Sequence, residues 1–314
     1  MPKPFRISIV GAGSVGSFLT YVLNRSSVWP ILVFRNPPFP KYQYIVMGDG
    51  KRIPLDYGGT IYDNTDRWSY SDVIIIATKA YDAEEILEDL ASMKRREWKL
   101  LVLVQNGLGV FEKAVELFGP GSVAQLVLNH GIHRVGPGTY RWVGGGRSYI
   151  GMMGGHSNDA LNRLAGLMAE ASIEVVRDIQ PYRWLKLSVN AVINPVSAIL
   201  RRRNRVVAEN SYVRDNLARS IISETTRISK SLGIKLPADP YEETMRVARE
   251  TGNNYSSMYM DLKGCRRTEI DYINGAIASH GKRLGIDTPY NEALYYIIKA
   301  LESRCAEKKY SVDR

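Results

Sequence analysis

Apolar residues follow two rhythms along this chain, and the rhythm changes near residue 175. Before that point, short apolar runs alternate with segments of helical period. Arg6–Val10, Ile31–Phe34, Asp72–Ala77, Leu100–Val104, Val123–Leu128 and Ile173–Val176 read as strands. Their near-continuous apolar character is that of strands covered on both faces, as in a parallel sheet. Between them, Ser17–Asn24, Asp82–Met93, Val110–Leu117 and Ala160–Ala171 have helical spacing, with Asp82 as an N-cap. Weaker β patterns occur around Tyr44–Met47 and Arg52–Leu55, inside a polar stretch from Pro37 to Trp68. The glycine-rich segment Gly131–Gly151 predicts a hairpin or an antiparallel extension of the sheet. From Pro181 onward the β patterns vanish. Arg183–Ile193, Val206–Ser231, Glu242–Glu250, Glu269–His280 and Tyr290–Glu307 all read as helices. The expected fold is therefore an α/β, doubly wound N-terminal domain over 1–175 and an all-α C-terminal domain over 176–314. The join is short, which makes a cleft between the two domains the default ligand site.

Composition narrows this little. The 314 residues are 45% hydrophobic and 24% charged, which is globular and of two-domain size. The start of the chain has no basic segment followed by a long apolar run, and the longest apolar runs are strand-sized. These features point to a cytoplasmic protein without membrane association. Cys265 and Cys305 lack metal-ligand spacing, so no metal site is expected and free thiols are the simplest reading, with a bridge between C-terminal helices left open. The net charge of +10 suits nucleic acid or small anionic ligands. The run Arg201-Arg202-Arg203-Asn204-Arg205 follows a helix, where cations complement the dipole, and no nucleic-acid-binding motif accompanies it. The structural reading of that run is favoured.

The first strand leads into Gly11-Ala12-Gly13-Ser14-Val15-Gly16 and then a helix. G-x-G-x-x-G in that position is the Rossmann dinucleotide fingerprint. Gly11 permits the turn, Gly13 lets the backbone approach a pyrophosphate, and Gly16 lets helix and strand pack closely. The anion would sit on the helix N-terminus. The alternative is a glycine-rich turn with no ligand. NAD-binding chains place an acid at the end of the second strand. Here that strand ends in Arg35-Asn36, and the next acid is Asp49. Arg35 suits a 2′-phosphate, which favours NADP(H); otherwise it is a solvent-facing loop residue. Lys79 and Asn106 stand at strand C-termini, where an open sheet binds ligands, although both could be ordinary loop caps.

In the helical half, Lys186, Asn190 and Asn194 stand at i, i+4 and i+8, a single polar stripe on an otherwise apolar helix. A solvated face is usually broader and richer in charge, so the stripe suggests a lined cavity with one proton donor and two amides. The alternative is an amphipathic helix with this face in water. Glu269 opens a later helix behind Thr268, where the helix dipole favours a carboxylate for purely structural reasons. Its chemical reading is as partner to a catalytic lysine, since a carbonyl reductase needs a proton donor and something to hold it. Ser257 offers a hydroxyl for a substrate carboxylate, and Asp271, on another helical face, reads as structural.

Taken together, these residues resemble the ketopantoate reductase (2-dehydropantoate 2-reductase) family. The matching pieces are the glycine loop, Ala77-Thr78-Lys79-Ala80, Gln105-Asn106-Gly107-Leu108-Gly109, the stretch Lys186–Pro195, Ser256-Ser257-Met258, and Thr268–Gly275. They span the chain in the family's order. The resemblance implies reduction of ketopantoate to pantoate with NADPH, on the route to pantothenate and coenzyme A. It implies Lys186 as general acid and Glu269 as the residue orienting Lys186 and substrate. Asn190, Asn194 and Ser257, with Asn254 less firmly, would hold substrate oxygens. Asn106 and Lys79 would lie near the nicotinamide ribose, with Asn106 also within reach of a substrate oxygen, and Arg35 near the 2′-phosphate. The implied partners are a small 2-oxo acid and, at most, a second copy in a homodimer, not nucleic acid or a membrane. Two other readings stay open: a reductase of another branched 2-oxo acid, and a non-catalytic NADPH-binding protein. The proline-rich segment after Arg35 and the basic run after the Lys186 helix depart from what the resemblance explains.

Overall fold

The computed structural model describes residues 5–34, 42–62 and 70–312. The chain divides into two compact units. One comprises residues 1–105 and 110–179, the other residues 106–109 and 180–314. The division thus falls at Ile179/Gln180 rather than at 175/176, and a four-residue excursion from the first half belongs with the second.

The first unit holds an eight-stranded sheet. Its strands are β1 (Ile7–Val10), β2 (Ile31–Phe34), β5 (Gly59–Tyr62), β6 (Val73–Ile76), β7 (Leu100–Leu103), β8 (Val123–Val127), β11 (Ser148–Met152) and β12 (Ile173–Val175). The order is β12-β11-β8-β7-β6-β1-β2-β5. Six strands run parallel, and β11 joins β8 antiparallel with β12 parallel to β11. All residues of β1, β6, β7 and β8 are buried, which is why those segments are apolar without alternation. Helices α1 (Ser14–Arg25), α2 (Ala80–Ser92), α3 (Val110–Phe118) and α4 (Asp159–Leu167) supply the connections. Asp82 is not the cap of α2: the helix begins at Ala80 behind Lys79, and Asp82 sits in its first turn. There its carboxylate still complements the helix dipole.

The glycine-rich stretch does two things at once. β9 (His130–Gly136) and β10 (Thr139–Gly145) form the hairpin, while β11 provides the antiparallel extension. The hairpin enters a second sheet of order β4-β3-β10-β9 with β3 (Tyr44–Val46) and β4 (Arg52–Pro54). Its small core is Ile45, Leu55 and Tyr140.

The second unit is helical. Its central helix, α5, runs from Gln180 to Leu200 and continues through Pro195, beyond the Ile193 end that the sequence suggests. Proline has no N–H and so cannot bond the carbonyl four residues back. That carbonyl, on Ala191, instead accepts from Asn274 Nδ2 at 3.0 Å. The helix ends at Leu200, and the left-handed φ of 53° at Arg201 lets Arg202 N–H return to the Ser197 carbonyl. The Val206–Ser231 pattern is broken into α6 (Val206–Glu209), a π-helical turn over Val213–Leu217 and α7 (Ala218–Ser231). Asn210 makes the break, since its Oδ1 accepts from Val213 N–H. Helices α8 (Pro240–Glu250), α9 (Ser257–Lys263), α10 (Asn274–Leu284) and α11 (Pro289–Val312) complete the unit. Their apolar faces meet α5 around Trp184, Leu187, Val192 and Ile277. Cys265 is a free thiol, and the Cys305 side chain lies outside the described residues. Among the described residues no helix is long and apolar enough to cross a membrane.

Asn274→Ala should lower stability by about 1–3 kcal/mol, the cost of an unsatisfied buried carbonyl. In a Pro195→Ala background the restored N–H reaches Ala191, so the same change should cost clearly less. Chemical denaturation of the four proteins measures the coupling, and equal losses in both backgrounds would refute the role given to Asn274.

Candidate functional site

In the first unit, the glycine loop follows β1 directly. Gly11 has φ +101°, and a Cβ there would lie 2.8 Å from the Thr78 backbone nitrogen and methyl group. A side chain on Gly16 would collide with the Gly11 carbonyl. Both positions need glycine because of the protein itself. Gly13 differs: a Cβ there would meet nothing within 4 Å. Protein packing gives no reason for glycine at that position, whereas a ligand approaching the backbone would. Gly13 is also the N-cap of α1, makes no side-chain cap, and is followed by no acid in the first turn. Ala12, Ser14 and Val15 complete a loop whose helix N-terminus is open to an anion. Nearby, Thr78 Oγ1 is buried without a protein partner. Sequence reading gave weight to Lys79 and passed over Thr78; its contact with Gly11 is visible only in three dimensions. Lys79 is half-buried at the N-cap of α2. Arg35 lies outside the described residues. The residues present thus fit a dinucleotide pyrophosphate.

The segment after β7 divides at one peptide. Gln105 belongs to the first unit, where its Nε2 donates to the Ile76 and Thr78 carbonyls at 2.8 and 3.1 Å. Asn106–Gly109 belongs to the second. Gly107 has φ +85°, and a Cβ there would collide with the Tyr272 carbonyl, which accepts from Leu108 N–H at 2.9 Å. Half-buried Asn106 is therefore held in the same unit as the turn that carries Glu269. That turn is not the start of a long helix. Ile270–Tyr272 is a single 3₁₀ turn, and α10 begins only at Asn274. The Tyr272 carbonyl is used by Leu108, and Ile273 adopts φ −106°, ψ −93°, so the helix cannot run through.

Lys186, Asn190 and Asn194 share one face of α5. Lys186 and Asn190 are half-buried and Asn194 is buried. The Lys186 amine itself is desolvated. Desolvation pushes its pKa down to about 8, against the opposing pull of the Glu269 carboxylate. Glu269 is itself buried, at the turn behind Thr268, whose Oγ1 accepts from Ile270 N–H. Lys186 and Glu269 are thus brought within electrostatic reach of each other. Asn194 is tied to the start of α9: Ser256 Oγ donates to its carbonyl at 3.3 Å and accepts from Ser197 Oγ at 2.8 Å. Ser256 is the buried N-cap, which leaves neighbouring Ser257 exposed at the first helical position. Asn254 is half-buried in the preceding loop, and its backbone bonds Asn204 and Thr251. Part of the basic run is used the same way. Arg205 bonds the Gly252 carbonyl and the Asn253 side chain, and Arg203 stacks on Tyr255. Asp271 pairs with Arg267 and Lys299, a structural role.

The family pattern described as Ketopantoate reductase PanE/ApbA matches residues 7–155, and its C-terminal counterpart matches residues 178–302. A 2-dehydropantoate 2-reductase of Pyrobaculum aerophilum is 37% identical over 301 residues, covering 95% of this chain and 99% of that one. The chain belongs to the ketopantoate reductase family. It is thereby an oxidoreductase of a NAD(P)-dependent family. The fold agrees. The ketopantoate reductase structure from Ralstonia eutropha JMP134 superposes with a TM-score of 0.84 at 23% identity, covering 96% of this chain and 99% of that one. D-mandelate dehydrogenase, solved with NADH and anilino(oxo)acetate, gives 0.81 at 23% identity with the same coverage.

If Glu269 holds charge on Lys186, Glu269→Gln should move the lysine pKa below 8, because only desolvation then remains. A ¹³C-methyl NMR titration of the reductively methylated amine reads this directly. An unchanged or raised value would refute the coupling.

Proposed function

We propose that this protein reduces 2-dehydropantoate to pantoate with NADPH, supplying pantothenate and coenzyme A synthesis. The observation that carries the reading is a desolvated lysine amine held beside a buried carboxylate, on the helix face that also bears two amides. Family membership supports the substrate, and the glycine loop supports the dinucleotide.

A carbonyl becomes an alcohol by gaining a hydride at carbon and a proton at oxygen. When bound, the dinucleotide supplies the hydride. Lys186 Nζ supplies the proton. With a pKa of about 8, the amine is roughly nine-tenths protonated at pH 7, so it enters the reaction charged. A cation at the reacting oxygen also stabilises the negative charge that develops there. The lowered pKa makes the same amine a better acid than an ordinary lysine. Glu269 keeps the ammonium charged and holds it in place. Asn190 and Asn194 offer amide donors to substrate oxygens, and the exposed Ser257 hydroxyl suits a carboxylate. Asn106 supports the substrate or the nicotinamide ribose, and Asn254 is the weakest of the substrate contacts. Lys79 and Arg35 are assigned to the dinucleotide, Arg35 to the 2′-phosphate.

A second reading has a specific observation behind it. D-mandelate dehydrogenase shares this fold and was solved with NADH, so the fold alone selects neither the 2-oxo acid nor the nicotinamide. A panel of branched and aromatic 2-oxo acids compared by kcat/KM separates the readings, and Arg35→Asp should shift preference from NADPH toward NADH.

Purified protein should oxidise NADPH in the presence of 2-dehydropantoate, followed by absorbance. Lys186→Ala should lower kcat by about 10²–10⁴-fold while NADPH affinity survives. As pH rises through about 8 the proton donor is lost, so kcat for reduction should fall on that limb and the reverse oxidation should rise. Near wild-type turnover by Lys186→Ala would refute the assignment.

A further inference from the structure

Two donors from distant parts of the first unit converge on one carbonyl of the glycine loop. Tyr140 Oη donates to Ala12 O at 3.0 Å, across 128 residues of sequence. Gln43 Nε2 donates to the same oxygen at 3.0 Å, across 31 residues. Ser17 Oγ lies 3.5 Å from Ala12 O and donates to Gln43 Oε1 at 3.3 Å, so both ends of the Gln43 amide are engaged. All three side chains sit out of water: Ser17 is 0% exposed, Gln43 1% and Tyr140 5%. Burying an amide and a phenol is costly unless their bonds are made, and these bonds are spent on a single oxygen.

The choice of oxygen has a geometric consequence. The ladder of α1 begins with Ser17 N–H on the Gly13 carbonyl, so Ala12 O lies outside it. A trans peptide is planar, with its N–H directed opposite to its C=O. Fixing Ala12 O therefore fixes the direction of the Gly13 N–H on the other side of the same plane. Gly13 is the residue beside which a Cβ would meet nothing. We propose that Gln43 and Tyr140 are positioning residues for the dinucleotide, holding the Ala12 carbonyl so that the Gly13 N–H is aimed at the pyrophosphate. The inference rests on the dinucleotide reading above.

It also gives the small sheet a task. Gln43 immediately precedes β3, and its own carbonyl accepts from Leu55 N–H just past β4. Tyr140 lies in β10, paired with Ile45 of β3. The two donors are thus mounted on β10 and at the entry to its parallel neighbour β3, and the sheet acts as a clamp on the loop. Burial raises the Tyr140 pKa, so the phenol keeps its donor proton at working pH.

The test uses the full chain and fluorescence titration with NADPH and NADH. Gln43→Met and Tyr140→Phe should each weaken dinucleotide binding roughly five- to tenfold, the scale of one lost hydrogen bond, and the double variant should weaken it further. At saturating dinucleotide, kcat and the KM for the 2-oxo acid should stay within about twofold of wild type. Ile45→Val, in the core of the same sheet, controls for loosening: it should lower the melting temperature and leave dinucleotide affinity unchanged. Variants that lose thermal stability yet bind as tightly as wild type would overturn the proposal, as would an Ile45→Val protein that binds equally weakly. A wild-type protein that binds neither dinucleotide would overturn the dinucleotide reading and this inference with it.

Discussion

A lysine amine taken out of water loses much of its reason to be charged. Lys186 sits in that position, and Glu269 is the counterweight. Desolvation alone favours a neutral amine, and the carboxylate alone would favour an ordinary ammonium. Their balance near pH 8 gives a group that is charged at neutral pH yet gives up its proton readily. Much of the second unit is arranged so that these two groups, carried on elements far apart in sequence, stay in register.

The central helix is where that register is most exposed to failure. Pro195 removes a hydrogen bond from the middle of α5, one turn beyond the Lys186–Asn190 face. Asn274 replaces it from α10, the helix that follows the Glu269 turn. Asn274 in turn donates to Asn291 Oδ1 at 2.9 Å, and Asn291 is held by the buried Glu224 carboxylate. Glu224 also accepts the Tyr290 and Asn291 backbone N–H groups at the start of α11. A buried carboxylate on α7 thereby caps one helix and braces two others. The donors of this network are all engaged, although Asn274 Oδ1 is buried without a partner, and the shared bonds tie the four helices to one packing.

The glycine loop solves a related problem with backbone alone. Gly11 and Gly16 are dictated by the neighbouring chain, while Gly13 faces open space. Ala12 and Val15 rest on the main core, but the three glycines leave the peptide planes between them few side-chain restraints. The donors on Ala12 O supply that restraint from the small sheet, at the edge of the position where a phosphate would approach.

Much of this was legible in the sequence. Continuous apolar runs specify strands buried on both faces, and the change of period past residue 175 specifies a helical second half, because both signals are local and repeat every few residues. The glycine spacing and the Lys186, Asn190 and Asn194 stripe are local in the same sense. Tertiary structure decided what depends on distant partners. The helix through Pro195 persists because Asn274 takes the orphaned carbonyl. The Glu269 helix breaks because Leu108 takes the Tyr272 carbonyl. Tyr44–Val46 pairs with Thr139–Arg141 of the hairpin in one small sheet because their register matches across a separation of 95 residues, which no local period encodes. Hydrophobic patterning acts through neighbours on one element. A buried hydrogen bond is chosen by whichever partner the fold brings within about 3 Å, and that choice is made only when the chain has folded.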